Sequence, residues 1–112
     1  VMRMVSIARR VHVADVLRGY LIDLAEATRS HPDVHLGASP RATLFLQRAA
    51  RAVAAADGRD YTSPDDVKGV IRPVLNHRLI VRPDAQMRGL TVEAILDEVL
   101  SSVPVPGTRV NA

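Results

Sequence analysis

Arg41 closes the run Gly37-Ala38-Ser39-Pro40-Arg41, and that setting gives it chemistry. Ser39 is a good helix N-cap, and Pro40 suits the first helical position because its missing N–H would find no partner there anyway. Arg41 then falls on the second helical position, where the positive end of the macrodipole disfavours a cation by about 0.3–1 kcal/mol. A cation, a cap hydroxyl and free first-turn amides together suit an anion, and phosphates bind readily at helix N-termini. Arg48 and Arg51 follow on Arg41's side of the same helix, away from its alanine-rich face. The plain alternative is a solvated face with one badly placed arginine, and spacing alone leaves the two balanced.

The remaining titratable residues say less. His31 and His35 are four apart, the spacing of metal ligands on one helix face, but Pro32 breaks any helix between them. No further ligand cluster follows, so no metal site is expected. His12 and His77 are isolated, and capping explains Ser39 and Ser63 without a nucleophile's role. Cysteine is absent, which removes disulfides, thiol nucleophiles and Cys-based zinc sites. A P-loop needs Gly-Lys followed by Ser or Thr; the single Lys, Lys68, sits between Val67 and Gly69. Ala94-Ile95-Leu96-Asp97-Glu98 imitates the apolar run and acid pair that hold magnesium on a strand. Residues 92–103 keep helical period, however, so Asp97 and Glu98 are expected on the wet face of a helix.

The elements that must position Arg41 follow from periodicity and punctuation. Val13, Val16, Leu17, Tyr20, Leu21 and Leu24 predict a helix to about Arg29, halted by Ser30-His31-Pro32-Asp33. A shorter segment, 2–10, reads as the end of another helix, with Val11-His12 as the joint. After Ser39 a helix is expected to bury Ala42, Leu46, Ala49, Ala50, Val53 and Ala56 and to stop at Asp57-Gly58. Tyr61-Thr62 is a short extended link, and Ser63-Pro64-Asp65-Asp66 repeats the start signal with a capping box to Asp66. Val67, Val70, Ile71, Val74 and Leu75 then form one helix face, kinked by Pro73, with Gly69 easing the fit of its ring. Residues 79–82 read as extended loop without an obvious partner, and 83–89 as a linker. Thr91 caps a last helix through Val92, Ile95, Leu96, Val99, Leu100 and Val103, with 107–112 as tail.

Composition agrees with this all-α reading of about four main helices. The 112 residues fit one small domain, 47% of them apolar and only 3% aromatic, so the core must be aliphatic. No run approaches the roughly 18 apolar residues needed to span a bilayer. The formal charge is a mild +3, yet every cation except Lys68 is Arg, the better fork for phosphate. Both ends read as cuts inside a longer chain.

Taken together, Gly37-Ala38-Ser39-Pro40-Arg41-Ala42, Gly58-Arg59-Asp60-Tyr61, Pro64-Asp65-Asp66-Val67-Lys68 and Val74-Leu75-Asn76-His77-Arg78-Leu79 closely resemble the C-terminal lid of MoxR-family AAA+ ATPases. Ala27-Thr28-Arg29 with His31-Pro32, and Glu98-Val99-Leu100, fit the same pattern. The resemblance spans nearly the whole chain, so residues 1–106 are expected to form a small helical bundle of the AAA+ lid type. It implies a lid beside an upstream nucleotide-binding core, with Arg41 as the sensor 2 arginine reaching the γ-phosphate and Ser39 and Pro40 shaping its approach. ATP and Mg2+ are then expected in the intact parent, an ATP-hydrolysing enzyme, and neither in this fragment, which cannot hydrolyse ATP by itself. The resemblance also implies neighbouring subunits of a ring, typically a hexamer, a von Willebrand factor A domain partner, chaperone-like remodelling and a cytoplasmic setting. It assigns no chemical role to Thr28, Arg29, His77 or Arg78, for which surface polar contacts are expected. Two other classes stand against it: a small DNA-binding domain resting on Arg41, Arg48 and Arg51, and a plain helical interaction module. Low net charge and scattered acids disfavour nucleic acid.

Overall fold

A computed structural model describes residues 11–106; the expected helix over 2–10 and the tail 107–112 lie outside them. The described chain runs through α1 (Asp15–Ser30), β1 (Val34–Leu36), α2 (Pro40–Ala56), α3 (Pro64–Leu75), β2 (Ile80–Val81), α4 (Pro83–Met87) and α5 (Val92–Ser102). Four main helices were expected, and four stand, joined by the short α4.

Each main helix buries one stripe. Leu17, Tyr20, Leu21, Leu24 and Ala25 of α1 meet Ala42, Leu46 and Ala50 of α2, Val67, Val70, Ile71 and Leu75 of α3, and Ile95, Leu96 and Val99 of α5. Small alanines on α2 let it lie along α3, the most extensive helix pairing, and α1 packs against both α2 and α5. Burial of this aliphatic set supplies the main stabilisation, at roughly 25 cal/mol per Å² of apolar surface. Val16 departs from the expected stripe: it is 68% exposed, since the face defined by Leu17, Leu21 and Leu24 turns it outward. On α2 the buried stripe drifts to Ala54 and Ala55, leaving Val53 and Ala56 exposed.

The signals at helix ends hold in detail. Ser39 Oγ accepts from the Ala42 amide at 3.1 Å, and Thr91 Oγ1 from the Ala94 amide at 3.2 Å. Gly58 ends α2 with φ of +76°, the left-handed geometry that favours glycine. Pro73 lies in the last turn of α3, which ends two residues later. Gly69 does not make room for it: a Cβ there would meet nothing within 4 Å. The proline ring crowds the backbone carbonyl four residues back, not the side-chain position.

Two segments differ from expectation. Residues 79–82 are not loop, because Ile80–Val81 pairs antiparallel with Val34–Leu36, Val81 opposite Val34 and Ile80 opposite Leu36. Residues 83–89 are not a linker either: Pro83 opens α4, which turns Ala85 fully into the core. A second tie closes the other end, where the His12 amide donates to the Asp60 carbonyl at 2.8 Å and the Thr62 amide to the His12 carbonyl at 3.0 Å. No helix among the described residues is long and apolar enough to cross a membrane.

Candidate functional site

The first turn of α2 carries the site residues where the sequence puts them. Pro40 is the first helical residue, Ser39 the cap, and Arg41 lies exposed beside them. Helix α2 holds Arg41, Arg48 and Arg51 and no acidic residue. Among the described residues none of these three has an ion pair, whereas Arg18, Arg29, Arg59, Arg72, Arg82 and Arg88 all face a carboxylate. Arg51 is only partly exposed, and its Nε is buried without a hydrogen-bond partner. Positive charge is therefore left unneutralised along one helix, starting at its amide-bearing end, which is what an anionic ligand requires.

The loop before α2 is fastened to the end of α1 by Thr28 and by Arg29, of which Arg29 is exposed and in polar contact as expected. Thr28 is not a surface residue: it is 0% exposed. Its hydroxyl donates to the Ala25 carbonyl at 2.6 Å and accepts from the Ala38 amide at 3.0 Å. Arg29 donates to the Ala38 carbonyl at 2.8 Å. Both polar groups of Ala38 are thus satisfied by side chains of α1, and Ala38 itself is fully buried. Gly37 crosses α1 so closely that a Cβ would stand 2.6 Å from the Arg29 Cα and 2.7 Å from its amide nitrogen. The signal for Thr28 was present: it continues the stripe of Leu17, Leu21 and Leu24 at helical spacing, a place where a hydroxyl needs partners. Arg78, on the surface as expected, stacks its guanidinium on the Phe45 ring at 4.6 Å and ties the end of α3 to α2. His77 is exposed, as expected.

A second polar cluster fixes the start of α3. Arg59 grips the Asp66 carboxylate with two bonds of 2.8 and 2.7 Å, and also bonds Asp57 at 2.9 Å. Asp66 in turn accepts from the Ser63 amide at 2.8 Å, completing the capping box. The Arg59 contact, with the Ser63 bonds behind it, holds the Asp66 carboxyl below the usual carboxylate range, against the opposing effect of burial. Arg59 is correspondingly harder to deprotonate, chiefly through its bonds to Asp66 and Asp57. Tyr61 is exposed under the Arg59 guanidinium, 5.5 Å from its ring centre, while Tyr20 is buried with its hydroxyl unpartnered.

The acid pair Asp97 and Glu98 lies exposed on α5, engaged with Arg72 of α3 and His31 respectively. These ties belong to helix packing, not to a magnesium-binding strand. His31 and His35 do not face one another across a helix turn; His31 follows α1 and His35 lies in β1. No group of three or more His, Asp or Glu side chains comes together among the described residues.

The described chain is thus a small helical bundle that offers an exposed arginine, Arg41, in the first turn of a helix capped by Ser39. Residues 26–99 match the family model for the AAA lid domain. The chain is 39% identical to the uncharacterized protein YeaC of Bacillus subtilis over 101 residues, covering 90% of this chain and 32% of that protein. It is 38% identical to chaperone MoxR1 of Mycobacterium tuberculosis, covering 99% of this chain and 31% of the relative. Protein MoxR of Paracoccus denitrificans is 36% identical over 85% of this chain and 32% of its own length. A crystal structure of a "putative ATPase" from Cytophaga hutchinsonii superposes with a TM-score of 0.84 at 31% identity, over 89% of this chain and 33% of that one. The chain belongs to the AAA lid domain family, in its MoxR branch. It spans about a third of the length of these relatives.

Proposed function

We propose that this lid completes an ATPase site built mainly by an upstream core, with Arg41 as the sensor 2 arginine. One observation carries the reading: Arg41 stands exposed and unpaired on a helix start that otherwise disfavours a cation. The unfavourable placement is offset when a triphosphate arrives. Arg41 then contacts the γ-phosphate, where a fixed cation stabilises the charge of the transferring group. Ser39 and Pro40 set the first turn and hence the direction of approach. The chain's own acids do not fit a magnesium ion, since Asp97 and Glu98 are spent on Arg72 and His31. Magnesium, the phosphate loop and the acid pair belong to the core, as in a P-loop enzyme.

A lid held at once by its core and by the nucleotide couples nucleotide state to lid angle. That supports work in a ring of like subunits, on clients that need remodelling or maturation. The name chaperone carried by the Mycobacterium tuberculosis relative points the same way. A von Willebrand factor A domain protein is the proposed partner and the cytoplasm the proposed setting.

The decisive experiment is Arg41→Ala in the full-length ATPase. Removing one preorganised donor to transition-state charge lowers kcat by about 10²-fold or more. Stability stays within about 0.5 kcal/mol, because the side chain is exposed and unpaired. Turnover equal to wild type defeats the assignment.

A further inference from the structure

We infer that Thr28 and Arg29 are positioning residues for Arg41, acting through the backbone N–H and C=O of Ala38. The inference rests on the reading of Arg41 as the residue that meets the phosphate.

Arg41 sits three residues beyond Ala38, and nothing between them is free to turn. Ser39 is held as cap by the Ala42 amide, Pro40 has its φ fixed by its ring, and Ala38 is bonded on both sides to α1. Gly37 rests on the backbone of Arg29 at a distance only glycine allows. The direction in which Arg41 leaves α2 is therefore referenced to the last turn of α1. Thr28 supplies the hydroxyl acceptor for the Ala38 amide from a fully buried position, where no water substitutes for it. Arg29 holds the carbonyl of the same residue while its other nitrogen leans toward Glu26 at 3.7 Å, so its reach is braced. Without these two bonds the peptide groups on either side of Ala38 can rotate, and rotation there swings the start of α2. A phosphoryl contact tolerates little of that: a misplacement of about 1 Å can cost about 10²-fold in rate.

The test is steady-state ATP turnover by the full-length ATPase carrying Thr28→Val, Thr28→Ser, Arg41→Ala, and Thr28→Val with Arg41→Ala together. Valine keeps the shape and removes the acceptor. The expected result is a fall in kcat of about tenfold for Thr28→Val, with KM for ATP little changed, because the lost contact is made in the transition state. Thr28→Ser restores kcat to within about twofold, since serine keeps the acceptor. In the Arg41→Ala background, Thr28→Val lowers kcat no further, because there is no guanidinium left to aim. Equal loss in both backgrounds marks a merely structural threonine and overturns the inference. So does a wild-type kcat for Thr28→Val alongside a slow Arg41→Ala, which leaves the sensor reading standing. An unimpaired Arg41→Ala removes the sensor reading first and this one with it. Should Thr28→Val fail to fold, Arg29→Gln carries the same test from a partly exposed position, with the same non-additivity expected against Arg41→Ala.

Discussion

At the scale of single residues, a glycine and a threonine hold the loop before α2 against the end of α1. Gly37 is needed for close approach: a methyl group there would press on the Arg29 backbone at 2.6 Å, and backbone cannot swing aside as a side-chain end can. Gly37→Ala is expected to destabilise by about 1–3 kcal/mol, the usual cost of overpacking. Gly69→Ala supplies the opposite sign, since a Cβ there meets nothing and alanine favours a helix interior by about 0.5–1 kcal/mol. Thermal melts followed by circular dichroism test the pair, with Gly37→Ala lowered by about 4 °C or more and Gly69→Ala raised. A Gly37→Ala melt matching wild type means the crossing relaxes at no cost. The motif around Arg41 was legible because Ser39, Pro40 and Arg41 are adjacent and each has a local role. The latch was not legible, because Thr28 meets Ala38 only after the chain has reversed between α1 and α2.

At the scale of elements, what could be read from the sequence divides along the same line. Helix starts at Ser39, Ser63 and Thr91 are written in neighbouring residues, and the structure repeats them bond for bond. The β1–β2 pair is not, since Val34–Leu36 and Ile80–Val81 are distant in sequence and too short for alternation to register. Helix α4, five residues long, is likewise below the reach of a helical period. Helix α3 adds a prediction with a sign. Asp66 has its carboxyl depressed in the fold, first by Arg59, so its contribution is fully present above the unfolded pKa of about 3.9. That contribution is lost as pH falls from there through the depressed folded value. Urea unfolding at steps from pH 7 to pH 3 should show a midpoint that holds and then drops below about pH 4. Asp66→Asn should start from a lower midpoint at pH 7 and show a flatter acid limb. Parallel acid limbs for the two proteins would assign the acid sensitivity to other carboxylates.

At the scale of the molecule, the question is what a bundle binds when alone, given three arginines on one helix that have no ion pair among the described residues. Charge-assisted hydrogen bonds contribute about 1.5–3 kcal/mol each. One arginine and a helix start thus offer a γ-phosphate a few kcal/mol, while association costs about 4–15 kcal/mol in lost freedom. The sum leaves no favourable net, so ATP affinity for this chain is expected to be weaker than millimolar, the level that roughly 4 kcal/mol of net binding would give. The same arginines set the limit for DNA. Three phosphate contacts give a slope of log affinity against log salt near −2.7, where contacts to 6–10 phosphates characterise a strongly salt-dependent DNA binder. Acids elsewhere on the described surface, paired with most of the other arginines, do not extend the stripe. Isothermal titration with ATP and fluorescence anisotropy with a labelled duplex, both on the 112-residue chain, test the two limits together. The expected result is no binding of either at micromolar concentration in 150 mM salt. Micromolar ATP binding would mean that the lid holds a nucleotide site of its own and would overturn the proposal that an upstream core supplies it. Micromolar duplex binding that weakens steeply with salt would assign Arg41, Arg48 and Arg51 to a nucleic-acid face in place of the sensor role proposed for Arg41. Silence in both titrations, set beside slowed ATP turnover for Arg41→Ala in the full-length protein, is the pattern the sensor proposal requires: Arg41 works only where a core holds the triphosphate in place.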